Sequence, residues 1–293
     1  MFGVGTRGAA PRWDREGRDW PHREHSQFIE LNGTRWHVQV TGRGSTVLLL
    51  HGAGAASHSF RDLVPFLAPH HRLVIPDLPG HGFTRVPQGA PLDLCSMAGA
   101  LASLMKALDI DSCAVVGHSA GAAIGARMAL EGRVGVTGWL GINPALLPLD
   151  GWAGVFFAPA ARAVASSPWL PRFLSWSSRR KDRVRRTIEG TGSRLDDRGL
   201  ELYARLVGCS GHVEGTVRMM AEWDLESLAR ELTRISAPML FIVGEGDLAV
   251  RPHTVLSLAR RLGAGVETVP GLGHLVHEEA PRRVAPLILD FLA

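Results

Sequence analysis

Short apolar runs separated by longer stretches of helical spacing constrain this 293-residue chain more than any other feature. The runs are Thr46 to Leu50, Leu73 to Pro76, Cys113 to Gly117, Gly138 to Ile142, Met239 to Val243 and Val266 to Val269. Each is too short for a helix and apolar on both faces, which suits interior strands of a parallel sheet covered on both sides. Between them, Phe60 to Leu67, Ser96 to Leu108, Ala120 to Leu130, Thr254 to Leu262 and Arg282 to Leu292 carry helical patterns. The alternation predicts a doubly wound α/β sheet. Ahead of it, Phe28 to Leu31 and Thr34 to Val40 flank Asn32-Gly33, whose tolerance of positive φ predicts a hairpin and an antiparallel start.

Between Asn143 and about Ile235 the alternation stops. This segment holds Trp152, Phe156, Phe157, Trp169, Phe173 and Trp176, then helical stretches such as Gly199 to Val207. So long a structureless loop is implausible in a compact domain, so a helical insertion forming a cap is expected. The predicted organisation is a core of residues 26–143 and 236–293, a cap of residues 144–235, and a mobile arm of residues 1–25. The arm is inferred from a Gly-, Arg-, Pro- and Trp-rich start without periodicity.

An apolar content of 45% with 20% charged residues supports a large buried core and excludes a disordered chain. The net charge of +4 comes from arginine, since only Lys106 and Lys181 are lysines, and it gives little support to nucleic-acid binding. Arg179, Arg180, Lys181, Arg183, Arg185 and Arg186 form a basic cluster. A solvated helix face explains it first; anionic lipid at a peripheral membrane contact, an acidic partner or substrate carboxylates would also suit it. Cys95, Cys113 and Cys209 include no pair at metal or redox spacing, which predicts a reducing, cytoplasmic setting. The first residues lack the apolar stretch of a signal peptide, and no run is long enough to span a bilayer.

The chemistry centres on Gly117-His118-Ser119-Ala120-Gly121, between a strand-like and a helix-like run. In that context the serine sits on a sharp turn at the sheet's carboxyl edge, with flanking glycines leaving room for neighbouring backbone. A merely structural turn is the competing explanation. A serine nucleophile needs a base, and the base an orienting carboxylate. In the strand-turn-helix arrangement these follow in the order serine, acid, histidine. Asp247 in Gly244-Glu245-Gly246-Asp247 and His274 in Pro270-Gly271-Leu272-Gly273-His274 each come after a strand and fit that order. Glu245 and His277 compete; Glu245 stands nearer the strand end, where it would shape the loop, and His277 falls on the following turn. An oxyanion needs two N–H donors. Ala120, after the nucleophile, and Ala53, in His51-Gly52-Ala53-Gly54, are the candidates.

His51, His81 and His118 lack metal-site spacing and are expected to be structural or to line a pocket. Asp77 to Gly82 also follows a strand and is expected to brace the active-site loops. No lysine-bearing phosphate loop or dinucleotide fingerprint occurs, so no cofactor is indicated.

HGAGAASHSFRDL at His51 to Leu63, DLPGHGFT at Asp77 to Thr84 and GHSAGAAI at Gly117 to Ile124 resemble α/β hydrolases. WPHREHSQF at Trp20 to Phe28, INPALLPLDGWAGVFFAPAAR at Ile142 to Arg162, TGSRLDDRGLELYARLV at Thr191 to Val207, HVEGTVRMMAEWDL at His212 to Leu225 and PGLGHLVHEEAP at Pro270 to Pro281 narrow the resemblance. They resemble the magnesium-chelatase accessory proteins of bacteriochlorophyll biosynthesis. The resemblance implies an α/β-hydrolase fold with Ser119, Asp247 and His274 as triad. It also implies a setting in tetrapyrrole synthesis near magnesium insertion, with magnesium chelatase as a partner. The expected substrate is a small apolar or tetrapyrrole-like molecule, cleaved at an ester-type bond.

A second function class is an accessory protein that binds porphyrin or chelatase with an idle triad, because fold does not dictate activity. Dehalogenase or epoxide-hydrolase chemistry is disfavoured, since those members of the fold use aspartate where this chain has Ser119. Carbon–carbon bond hydrolysis uses the same triad and stays open.

Overall fold

The computed structural model describes residues 10–148 and 181–293. Eight strands form one sheet: β1 (Ser26–Leu31), β2 (Thr34–Thr41), β3 (Thr46–Leu50), β4 (Arg72–Pro76), β5 (Ser112–His118), β6 (Gly135–Ile142), β7 (Met239–Gly244) and β8 (Gly265–Val269). Their spatial order is β1-β2-β4-β3-β5-β6-β7-β8. The β1–β2 and β2–β4 pairs are antiparallel and every other pair is parallel. The first turn is the expected hairpin, with Asn32 and Gly33 at φ of 51° and 76°.

Among the described residues the α-helices are α1 (Val64–Leu67), α2 (Leu94–Ala107), α3 (Ala120–Glu131), α4 (Lys181–Glu189), α5 (Asp197–Val207), α6 (Ser210–Glu222), α7 (Leu225–Glu231), α8 (Pro252–Leu262), α9 (Val276–Glu279) and α10 (Pro281–Leu292). Alternate residues of the central strands point to opposite faces, so each face builds its own core. Leu48, Leu50, Val74 and Val115 pack with Leu101 and Met105 of α2, Ile124 of α3 and Leu258 of α8. Val47, Leu49, Leu73, Ile75 and Val116 pack on the other side with Leu67 of α1 and with Val284 and Ile288 of α10. At about 1.5–3 kcal/mol for each fully buried aliphatic side chain, these two layers dominate the folding energy. Both predicted layers of helix are therefore present, and the chain has the α/β-hydrolase architecture.

Between β6 and β7 the described residues 181–235 carry the four helices α4 to α7, joined by short connections. Their junction with the core is apolar: Val184, Ile188, Leu200 and Tyr203 meet Ala55 and Leu275. The aromatic residues expected in the cap, Trp152, Phe156, Phe157, Trp169, Phe173 and Trp176, and the cations Arg179 and Arg180 lie outside the described residues.

The expectation of a mobile arm over residues 1–25 needs correction from residue 10 onward. Trp20 is 2% exposed, donates through Nε1 to Ser57 Oγ at 3.0 Å and sets its ring edge-on to Phe83. Trp13 packs against Phe28, His37 and Phe83. Asp19 accepts from Arg198 and Arg205 of α5, tying this segment to the helical insertion. A tryptophan can bury about 150–250 Å², so these two side chains, together with the Asp19 ion pairs, offset much of the entropy of ordering a segment that lacks periodicity of its own.

Candidate active site

Strand β5 ends at His118, and the chain turns at Ser119 before α3 begins at Ala120. Ser119 has φ 50° and ψ −113°, a strained conformation that non-glycine residues rarely adopt. Close packing holds it there. A Cβ on Gly121 would lie 2.1 Å from the Leu50 carbonyl oxygen, and one on Gly117 would lie 2.4 Å from the Ala122 nitrogen. The Ser119 N–H donates to Ile142 O at 2.9 Å, fixing the turn to the end of β6. Ala120 is the first residue of α3, so its N–H belongs to the amides that have no partner within the helix.

The loop after β3 passes directly beside this turn. A Cβ on Gly52 would stand 3.2 Å from Ser119 Cβ and 2.7 Å from His118 Nδ1, so only glycine permits the approach. Ala53 follows and lines the same cavity as Ser119. His51 braces the loop: its Nε2 accepts from the Leu78 N–H at 2.9 Å, which leaves Nδ1 to donate to Gly52 O at 2.8 Å. Asp77 braces the neighbouring loop, accepting from the Ser57 and Phe83 amides and from His37.

Asp247 and His274 arrive from the loops after β7 and β8, and they meet: Asp247 Oδ2 accepts from His274 Nδ1 at 2.8 Å. Asp247 Oδ1 accepts from the Ala249 and Val250 amides, both at 2.8 Å, so the carboxylate is held at both oxygens. A carboxylate of this kind only accepts, which puts the His274 proton on Nδ1 and leaves Nε2 free to take one. Of the competing residues, Glu245 is exposed, and His277 Nε2 is hydrogen-bonded to Ser59 Oγ at 2.8 Å. Ser119 and His274 line one cavity, with no hydrogen bond between them among the described residues. Serine–histidine contacts often tighten only when a substrate is bound.

The cavity has a volume of about 260 Å³. Apolar groups dominate its walls: Ala53 and Ala55 from the core, Val184 and Ile188 from α4, Val207 from α5 and Leu275 beside His274. His118 also faces it, its Nε2 donating to His274 O at 2.9 Å; burial holds its pKa well below the ordinary histidine value. Among the described residues no group of three or more His, Cys, Asp or Glu is placed to hold a metal.

Three supports carried no signal in the sequence. Asn143, at the end of β6 with φ 43°, donates through Nδ2 to Gly273 O at 3.0 Å and His274 O at 2.8 Å. Its Oδ1 accepts from Gly244 N at 2.8 Å, so a single side chain ties together the strand and loop that position acid and base. His212 of α6 accepts from Gly82 N and donates to Gly54 O, each at 3.0 Å, joining the insertion to the Ala53 loop. Glu278 is buried against Arg61, Tyr203 and Ser59 behind the cavity wall.

Residues 47–287 match the alpha/beta hydrolase family. The chain is 38% identical over 277 residues to the magnesium-chelatase 30 kDa subunit of Rhodobacter capsulatus, covering 94% of this chain and 96% of that protein. It is 28% identical to haloalkane dehalogenase 2 of Mycobacterium tuberculosis, over 90% of this chain and 94% of the relative. A crystal structure of an α/β-hydrolase-fold protein from Burkholderia ambifaria superposes with a TM-score of 0.76 at 22% identity, covering 90% of this chain and 97% of that one. With its sheet order, helical insertion and matched span in agreement, the chain belongs to the α/β hydrolase family, as a relative of the magnesium-chelatase 30 kDa subunit.

Proposed function

We propose that the chain is a serine hydrolase acting on an ester-type bond, in or near tetrapyrrole biosynthesis as an accessory to magnesium chelatase. The observation that carries the chemistry is the 2.8 Å bond between Asp247 and His274 on the wall of the cavity that also holds Ser119. In this reading His274 Nε2 takes the Ser119 proton as Oγ attacks the carbonyl carbon, and the Ala53 and Ala120 N–H groups hold the resulting oxyanion. His274 then gives its proton to the departing alkoxide, leaving an acyl group on Ser119. Water, activated in turn by His274, cleaves that ester and restores the hydroxyl. Asp247 keeps the imidazole in the tautomer and orientation this requires.

The apolar walls from α4 and α5 suit an apolar or tetrapyrrole-like molecule, with residues 144–235 as the cap. The setting is supported by the 38% identity to a protein named as a magnesium-chelatase subunit. The test replaces that relative in a bacteriochlorophyll-producing host with this chain or with Ser119→Ala. Restored pigment with the wild type, and accumulated tetrapyrroles that precede magnesium insertion with Ser119→Ala, are expected. Equal pigment from both would leave a binding protein with an idle triad as the better account.

A further inference from the structure

The stretch between α4 and α5, Thr191-Gly192-Ser193-Arg194, lies between the two loops that carry Asp247 and His274. The Thr191 carbonyl accepts from both sides, from Leu248 N at 3.1 Å and from His274 N at 3.3 Å. Ser193, fully buried, accepts through Oγ from Leu275 N at 2.7 Å. Glu279 takes Gly273 N at 3.0 Å with one carboxylate oxygen and Arg194 N at 2.9 Å with the other. Three successive amides, at 273, 274 and 275, thus rest on acceptors that belong to this stretch or are shared with it. The backbones touch: Gly192 has φ 84°, and a Cβ there would lie 2.0 Å from Gly246 O, while one on Gly273 would lie 2.2 Å from the Gly192 carbonyl carbon.

The same stretch continues from the cavity wall. Val184, Thr187, Ile188 and Thr191 recur at helical spacing along one face of α4 and its extension, and all four line the cavity. A molecule filling the cavity therefore presses on the segment that holds the His274 amide. Asn143 grips the base loop from the sheet side through carbonyls, so the cap side and the sheet side hold different atoms of the same loop.

We propose that Thr191–Arg194 is the positioning element of the Asp247–His274 pair, coupling occupancy of the cavity to placement of the imidazole. The cap then completes the site as well as covering it. The effect on rate rests on the hydrolase reading; the effect on His274 geometry does not.

The test follows the His274 imidazole NMR signals, assigned by their loss in His274→Ala, together with the rate at which Ser119 reacts with a fluorophosphonate probe. Gly192→Ala drives a Cβ into the acid loop at Gly246 O, whereas Gly263→Ala introduces the same left-handed strain, at φ 68°, where a Cβ meets nothing within 4 Å. Gly192→Ala is expected to shift the His274 signals and slow labelling about a hundredfold, as misplacement near 1 Å does; Gly263→Ala is expected to do neither. Should Gly192→Ala not fold, Ser193→Ala, which removes one acceptor, is expected to shift the same signals and slow labelling about fivefold. Unchanged His274 signals in Gly192→Ala, or in Ser193→Ala where only that variant folds, would overturn the proposal. A wild type that shows the His274 signals yet never labels would overturn the hydrolase reading alone, and the signals would still decide the role of this stretch.

Discussion

Lowering the pH from about 7.5 to about 5.5 is expected to remove about 3 kcal/mol of folding stability through two histidines alone. His212 is fully buried with both ring nitrogens engaged, Nδ1 accepting from Gly82 and Nε2 donating to Gly54, so only the neutral ring fits. Burial pushes its pKa from 6.5 down to about 4, against the opposing pull of Gly54. His277, with Nδ1 buried and unpartnered, is pushed to about 3 by burial and by Arg61. Because both folded-state values lie below 6.5, the unfolded chain binds more protons as pH falls through that value. The stabilisation is complete above 6.5 and is lost progressively toward 4 and 3. At about pH 5.5 each histidine has lost about 1.4 kcal/mol. Glu278, whose carboxyl is pushed up by burial, works in the opposite sense, so the comparison needs a variant. In His212→Gln the amide can make both bonds without titrating. Urea unfolding at the two pH values should show a loss in the wild type, to which the other buried histidines also contribute, that exceeds the loss in His212→Gln by about 1.4 kcal/mol. An identical loss in both, or none in the wild type, would refute the assignment. The consequence for the site is direct, since His212 holds the insertion to the loop that carries Ala53.

Asn143→Ala removes three buried hydrogen bonds at once; a stability loss of about 2–3 kcal/mol by denaturant titration and slower Ser119 labelling are expected. Gly121→Ala places a Cβ against the Leu50 carbonyl; overpacking here is expected to cost about 1–3 kcal/mol, lower the Tm and abolish labelling. Trp20→Ala is expected to cost about 3–5 kcal/mol in unfolding free energy, whereas a freely mobile start to the chain would show no effect.

The sheet was legible because its interior strands are apolar on both faces and short, and Leu48 and Leu49, pointing to opposite layers, show why. The hairpin was legible from Asn32-Gly33, whose positive φ values few residues tolerate. Asp247 and His274 could be named from chain order and loop position, and their hydrogen bond is in the structure; their catalytic roles remain part of the proposal. What the sequence hid were contacts made by residues of ordinary type across long separations. Asn143 reaches Gly273 and His274, and His212 reaches Gly54 and Gly82, without any local pattern to mark them. Trp13 and Trp20 were misread for the same reason, since an aperiodic segment becomes ordered only through surfaces contributed by Phe28, Ser57 and Phe83.

Intact-protein mass spectrometry after exposure to a fluorophosphonate probe tests the nucleophile most directly, with peptide mapping to locate the adduct. A single adduct on Ser119 is expected, absent from Ser119→Ala and strongly slowed in Asp247→Asn, where loss of the orienting carboxylate costs about 10⁴-fold in comparable triads. No adduct on a folded wild type, or an adduct equally abundant in Ser119→Ala, would contradict Ser119 as the nucleophile.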